Sequence, residues 1–386
     1  MIRILLTIFT YFLLIGHLHA TSFLTISDFH YGKNNKTGDG VDAGPILLAN
    51  AFNKYHQLTK QVDFIITLGD FPTHGLVNDP RKQVYEIKIF QELYQGNSLQ
   101  KPIFYVTGNN DSLLGNYQPF SFHGESPITL SQQWSGACAH CDELIIDKTH
   151  MYTDGYYSTF VMPNNHDIVL LVLNSSQFAK LAWYKPSYPN QQQDALKQLA
   201  WFEQELKRNH AKQLLIATHI PPGHSYVNSN HWQPQFLTRF IALINQYQYN
   251  YDEISILSAH THMDDIRKIK LTDHKNIYAF ATPSISRIHH NYPSMKIFKL
   301  DHAMKLKNYT TFYTASDEEW SNLDYSAKGY ALSLLPECDD KIPLAQCLNA
   351  ISDNDLCRRM EEGLFYGSKS PKVNGSVCHF TYPVNY

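Results

Sequence analysis

Five short apolar runs in this chain each stop at an acid, an amide or an imidazole. "FLTIS" (23–27) leads into Asp28-Phe29-His30, and "VDFIITL" (62–68) into Gly69-Asp70. "PIFYVT" (102–107) leads into Gly108-Asn109-Asn110-Asp111, "QLLIAT" (213–218) into His219, and "ISILSA" (254–259) into His260-Thr261-His262. Short apolar runs bounded by turn residues read as strands buried on both faces. In an open α/β sheet, sites form beyond the carboxyl ends of such strands. Asp28, His30, Asp70, Asn109, His219, His260 and His262 are therefore all delivered toward one edge.

Taken singly, each of these residues is ordinary. An Asp after Gly is usually a turn residue, and one His-x-His is a weak metal signal. Together they make a set of oxygen and nitrogen donors without sulfur, which suits borderline-to-hard divalent ions: zinc first, then manganese or iron. Two four-ligand sets sharing one carboxylate need seven side chains, the number found. Asp70, after the Gly69 turn, is the natural bridge. Two ions roughly 3.5–4 Å apart can hold a bridging hydroxide and clamp an in-line displacement at phosphorus.

The rest of the chain supports an α/β fold. "IVLLVLN" (168–174) is a further strand, while "DAGPILLANAFNKYHQL" and "QQQDALKQLAWFEQELKR" are predicted helices. In the second helix Ala195, Leu199, Phe202 and Leu206 recur at helical spacing and should face the sheet. With 386 residues, 43% of them hydrophobic, the chain can bury a sizeable core. A net charge of −3 without any basic run speaks against nucleic-acid binding.

The first twenty residues, "MIRILLTIFTYFLLIGHLHA", have a basic start, an apolar stretch and a small residue at the end. They read as a signal peptide cleaved after Ala20, the alternative being an uncleaved anchor. No later run is long enough to span a bilayer. The expected location is secreted or periplasmic, where six cysteines are expected to form disulfides. Cys138 and Cys141 stand three apart with no second such pair to complete a zinc site, so a small-loop disulfide is expected there. Of four glycosylation sequons, at Asn35, Asn174, Asn308 and Asn374, the one at Asn174 ends a strand and should be inaccessible. Residues 21–300 are read as the catalytic domain. Residues 301–386 are read as a small helical subdomain holding the other four cysteines, with "SDEEWSNLDYSAKGYALSLLP" and "IPLAQCLNAISDNDLCRRMEEGLF" as its helices.

The motifs "SDFHYG", "LGDFPTH", "GNND", "THIPPGH" and "SAHTHMD" resemble those of the calcineurin-like metallophosphoesterases. Pro72, His74, "HIPPGH" and "ATPSISRIHHNYPSMKIF" are similar to the acid sphingomyelinase-like phosphodiesterase branch. The resemblance covers residues 22 to 300 and continues faintly into the tail. It implies a β-sandwich flanked by helices and a dinuclear-metal phosphodiesterase acting on phosphoric esters or anhydrides. Asp28, His30, Asp70 and His262 would hold one ion, and Asp70, Asn109, His219 and His260 the other. His74 matches a histidine that this branch brings to the phosphate, with His224 as a plausible neighbour. In the tail, the resemblance implies the pairs Cys347–Cys357 and Cys338–Cys378.

Two departures stand out. The common motif has histidine, usually taken as proton donor, where this chain has Asn110. An amide donates a hydrogen bond but has no titratable proton. The sequence also leaves no room before the first strand for the saposin-like domain of acid sphingomyelinase, which argues against efficient sphingomyelin hydrolysis in a bilayer. The expected substrate is a small phosphorylated molecule: a nucleotide, a polyphosphate or a phosphocholine-type ester. "GNND" is shared with endopolyphosphatases, giving a phosphoanhydride hydrolase as the first alternative. A sphingomyelin or phospholipid phosphodiesterase is the second, and an inactive binding protein of the same fold the third.

Overall fold

A computed structural model describes residues 20–32, 40–76, 79–180, 186–224, 229–272, 275–315, 319–324, 338 and 342–359. The expected signal peptide lies outside these residues. All six predicted strands are present: β1 (Ser22–Ile26), β2 (Phe64–Thr67), β3 (Ile103–Tyr105), β7 (Asn165–Leu173), β8 (Ala211–Thr218) and β9 (Tyr251–Ser258). β1, β2 and β3 are parallel neighbours in one sheet, and β7, β8 and β9 in another. Their carboxyl ends therefore carry the seven expected ligands to common edges.

Eight further strands complete two seven-stranded sheets. The first sheet has the order β14-β13-β12-β1-β2-β3-β4 and the second β10-β11-β9-β8-β7-β6-β5. These additions are β4 (Cys138–Ala139), β5 (Ile145–Asp147), β6 (Tyr157–Met162), β10 (Ile266–Lys270), β11 (Asn276–Ala281), β12 (Ser294–Leu300), β13 (Leu306–Tyr313) and β14 (Ser321–Asp324).

Alternation along the strands explains why the sheets stack. Successive side chains point to opposite faces, and in β7 both faces are apolar. Ile168, Leu170 and Val172 join a core shared with Phe23, Phe64 and Phe298 of the first sheet. Val169, Leu171 and Leu173 join a second core with α3 (Gln191–Arg208) and α4 (Pro234–Tyr247). Phe280 of β11 meets Phe298 and Tyr309 across the interface at 6.0 and 5.9 Å between ring centres. Ala195, Leu199, Phe202 and Leu206 are buried as predicted, and Phe202 stacks on Phe240 of α4.

On the first sheet, α1 (Pro45–Leu58) starts with a proline, whose fixed φ suits a first helical turn. It buries Leu47, Leu48, Ala51, Phe52, Tyr55 and Leu58. α2 (Arg81–Gln95) buries Ile89, Phe90 and Leu93. Asn174 and Asn308 are both buried.

Past residue 300 two expectations need correcting. Ser321–Asp324, read as helical, is a strand paired antiparallel with β13. The open edge of β13 offers a ladder of hydrogen bonds that a short Asn- and Asp-bearing segment cannot match by forming a helix. The tail does contain α5 (Leu344–Ala350) and α6 (Asp353–Arg359). Their Leu344, Leu348, Ile351 and Leu356 belong to the core of the first sheet rather than to a separate one.

The second correction concerns the disulfides. Cys138–Cys141 forms as expected, but Cys347 pairs with Cys338, at a Cα–Cα distance of 5.4 Å, and not with Cys357. Cys347 lies on the buried face of α5 with Leu344 and Leu348, where buried Cys338 meets it. That excludes both pairs implied by the resemblance. Cys357 is disulfide-bonded as well, and Cys378 lies outside the described residues.

Candidate metal centre

The strand ends converge as the sequence requires. His262 Nε2 lies 3.3 Å from Asp28 Oδ1, and His30 Nε2 lies 3.6 Å from that same oxygen. The two imidazole nitrogens face each other at 3.2 Å. On the other side, His219 Nε2 is 3.3 Å from Asp70 Oδ2, and ligand atoms of Asp70, His219 and His260 lie within 4.8 Å of one another. Asp70 Oδ2 is also 3.6 Å from His30 Nε2, so one carboxylate oxygen touches both groups.

Several buried atoms here have no hydrogen-bond partner: Asp28 Oδ1, Asn109 Oδ1 and His219 Nε2. A buried acceptor without a partner is costly. The surroundings point each of them inward. Asn109 donates its amide to Asn116 Oδ1 at 2.8 Å, which leaves its carbonyl oxygen available. His219 Nδ1 bonds the carbonyl of Leu68 at 2.6 Å, which fixes Nδ1 as the donor and Nε2 as the lone pair. That bond also ties the second sheet to the first. The donor set and its orphaned atoms fit a pair of divalent cations.

The backbone is strained at the same residues. Asp28, His30, Asp70, His260 and His262 have φ of 50°, 42°, 56°, 67° and 64°. Such left-handed values are uncommon outside glycine and persist where surrounding contacts over-determine them. Here Asp28 N donates to Gly69 O, His30 N to Asp70 O, and Asp70 N to the Asp111 carboxylate. Asp111 also accepts from Phe71 N, Gly108 N and Tyr105 Oη, and so joins the Asp70 and Asn109 loops. Gly69 and Gly108 have no substitute: a Cβ would lie 2.3 Å from Gly108 N in the first case and 2.1 Å from Asp70 Oδ1 in the second.

The electrostatics keep the two carboxylates ionised and divide the histidines between charged and neutral forms. Burial opposes ionisation of Asp70 and Asp28, yet the imidazoles around them hold both carboxyls well below the usual range. Burial likewise pushes His219 down, but Asp70 and Asp28 outweigh it and carry the group up to about 9. His260 is pushed down to about 3, by burial first and then by His219.

Of the other expected residues, His74 is 39% exposed and stacks on the His30 ring at 4.1 Å. Asn110 is buried and bonded to Asp70. The His224 carbonyl accepts from Arg267 Nη1 at 2.7 Å. Sequence reading passed over three residues that shape the site. Asp42 contacts His74, Asp111 joins two loops, and buried Arg267 braces the loop after β8 through Pro222 O and His224 O. Asp111 stood within a quoted motif and was open to notice. Asp42 and Arg267 carry no local signal.

A family profile described as calcineurin-like phosphoesterase matches residues 21–264. The chain belongs to that family. As a calcineurin-like phosphoesterase it has the two helix-flanked sheets, and its ligand candidates fall at their shared edge. It is 26% identical over 294 residues to a Dictyostelium discoideum protein named sphingomyelinase phosphodiesterase D, covering 74% of this chain and 63% of that one. It is 24% identical over 355 residues to sphingomyelin phosphodiesterase A of the same organism, covering 79% and 56%. The chain thus spans less than two thirds of either relative. Among solved structures, a dimetal phosphatase from Danio rerio is similar with a TM-score of 0.48 and 13% identity, over 80% of this chain and 99% of that one. Among the described residues no helix is long and apolar enough to cross a membrane.

Proposed function

We propose that this calcineurin-like phosphoesterase is an exported, dinuclear-metal phosphodiesterase that hydrolyses small phosphoric esters or anhydrides. The observation that carries the reading is a pair of adjoining donor clusters, Asp28–His30–His262 and Asp70–His219–His260, with the buried and unpartnered Asn109 Oδ1 on the loop bonded to Asp70. Asp28, His30, Asp70 and His262 would hold one ion, and Asp70, Asn109, His219 and His260 the other, with zinc preferred. When bound, the pair supplies charge neutralisation on phosphoryl oxygens and an activated water.

The protein's own groups do the rest. The strained strand ends hold the donors in place before any ion arrives. Asn110 spends its amide on Asp70 and has no proton to give. His74, exposed beside His30, is then the group placed to protonate a leaving oxygen. His224 is a second candidate for that proton. Export through residues 1–20 is supported by the two described disulfides.

A second reading is a phosphocholine-type diesterase acting on sphingomyelin, favoured by the names of the two curated relatives. Metal analysis of the purified protein tests the centre. A panel of bis(p-nitrophenyl) phosphate, ATP, polyphosphate, phosphocholine esters and sphingomyelin, with and without zinc or manganese, tests the substrate. Near-zero bound metal together with no turnover would leave only an inactive binding protein.

A further inference from the structure

Asp42 lies three residues before α1, its side chain 12% exposed, and takes part in none of the expected ligand sets. Three donors from two distant segments meet its carboxylate. Thr73 Oγ1 donates to Oδ2, His74 Nδ1 faces Oδ1 at 3.4 Å, and Ser286 Oγ donates to Oδ1 at 3.5 Å. Thr73 is itself fixed by its backbone, which donates to Tyr31 O at 2.9 Å.

The placement of Thr73 depends on Gly32. A Cβ at position 32 would come within 2.1 Å of Thr73 Cγ2 and 2.7 Å of Thr73 Cβ. The glycine of "SDFHYG" is thus what lets Thr73 sit where it bonds Asp42. A chain of contacts runs from Gly32 through Thr73 and Asp42 to His74.

We propose that Asp42 is the positioning carboxylate of His74, fixing which ring nitrogen the histidine offers to a substrate. The inference rests on the phosphodiesterase reading for its kinetic consequence. The His74 ring lies nearly parallel to His30, at 10° between planes. In that stack it has two orientations, related by a flip about the Cβ–Cγ bond. An acceptor at Nδ1 selects one of them and one tautomer: Nδ1–H toward Asp42, with Nε2 left for the substrate. Without Asp42 both flips are open, and fewer molecules turn Nε2, the nitrogen that carries the second proton when the ring acts as an acid, toward the substrate.

The test uses the metal-loaded full chain with Asp42→Asn, Asp42→Ala, Thr73→Val and His74→Ala. Long-range proton–nitrogen spectra of the His74 ring report the tautomer without any need for turnover. With the ring neutral, the wild type should be the Nδ1–H form, and Asp42→Ala should be a mixture. In kinetics, Asp42→Asn should retain both ions and a KM within about twofold. It should lower kcat for an alkyl diester roughly tenfold or more, within the range for general-acid help. In a His74→Ala background it should cost nothing further. Thr73→Val should give a smaller loss in the same direction. Loss of metal in Asp42→Asn, equal losses in both backgrounds, or an unchanged ring spectrum in Asp42→Ala would overturn the assignment. A wild type that turns over no ester refutes the phosphodiesterase reading instead, and the ring spectrum still decides Asp42.

Discussion

Both nitrogens of Asn110 donate to the Asp70 carboxylate, the backbone amide to Oδ1 at 2.7 Å and the side-chain amide to Oδ2 at 2.8 Å. Oδ2 is the oxygen nearest His219 and His30, the atom best placed to serve two ions. A residue at a position often filled by a proton-donating histidine thus steadies the carboxylate proposed as the bridge. It has nothing titratable to offer the leaving group.

The consequence is a leaving-group preference. General-acid help is worth roughly 10²–10⁴ in rate and matters most for basic leaving oxygens. Phosphoanhydrides and nitrophenyl esters should be better substrates than alkyl diesters. Asn110→His should speed alkyl diesters more than anhydrides, and His74→Ala should harm alkyl diesters most. The measurement is log kcat/KM against leaving-group pKa for the three proteins. Parallel lines would show that neither position handles the proton.

Gly108 should tolerate no side chain. A Cβ there lies 2.1 Å from Asp70 Oδ1 and 2.4 Å from Asp70 N, so Gly108→Ala must displace Asp70, the proposed bridge. Overpacking of this kind costs about 1–3 kcal/mol. Gly108→Ala should lose that much in urea unfolding and bind fewer ions per chain. Full metal occupancy in the variant would mean that Asp70 need not sit where it does.

Much of the candidate site could be read from the sequence because each candidate ligand stands at the end of a contiguous apolar run, and both signals are local. Asp42 could not be found that way: its partners Thr73, His74 and Ser286 lie 31, 32 and 244 residues away. α2 was overlooked because its inner face includes buried Lys82 and Glu86, which break the apolar pattern. β14 is defined by the edge it pairs with, not by its own four residues. The tail disulfides had the same problem, since four cysteines allow three connectivities and spacing does not choose among them.

Glu253 should make stability fall with rising pH near neutrality. Its carboxylate accepts from Leu306 N at 2.8 Å, yet burial pushes its pKa up to about 7. The unfolded value is about 4.3. Between these values the folded chain binds more protons than the unfolded one, so the contribution is complete below about pH 4.3 and is lost as pH rises through about 7. A shift of this size corresponds to on the order of 3 kcal/mol. Glu253→Gln can still accept from Leu306 N and carries no charge to bury. Its stability, from urea midpoints at pH 4.5 and 7.5, should fall less than that of wild type. Equal falls would remove Glu253 as the cause.

Replacing the bridge should uncouple stability from metal. An ion pair that binds only the folded chain stabilises it by RT ln(1 + [L]/Kd), about 2.7 kcal/mol at a hundredfold excess over Kd. For a large domain that is several degrees in Tm. Chelation of the wild type should therefore abolish activity and lower Tm, and zinc or manganese should restore both. Asp70→Ala removes the carboxylate that lies 3.3 Å from His219 Nε2 and 3.6 Å from His30 Nε2, nearer to His219 than Asp28 Oδ1 at 3.9 Å. It should be inactive, bind at most one ion, and show little change in Tm on chelation. Replacing Asn109, which would serve one ion, should leave part of the metal-dependent gain in place. Thermal scans with and without chelator, paired with metal content per chain, separate the cases. Two tightly bound ions in Asp70→Ala, with the wild-type gain in Tm, would show that Asp70 is not the bridge.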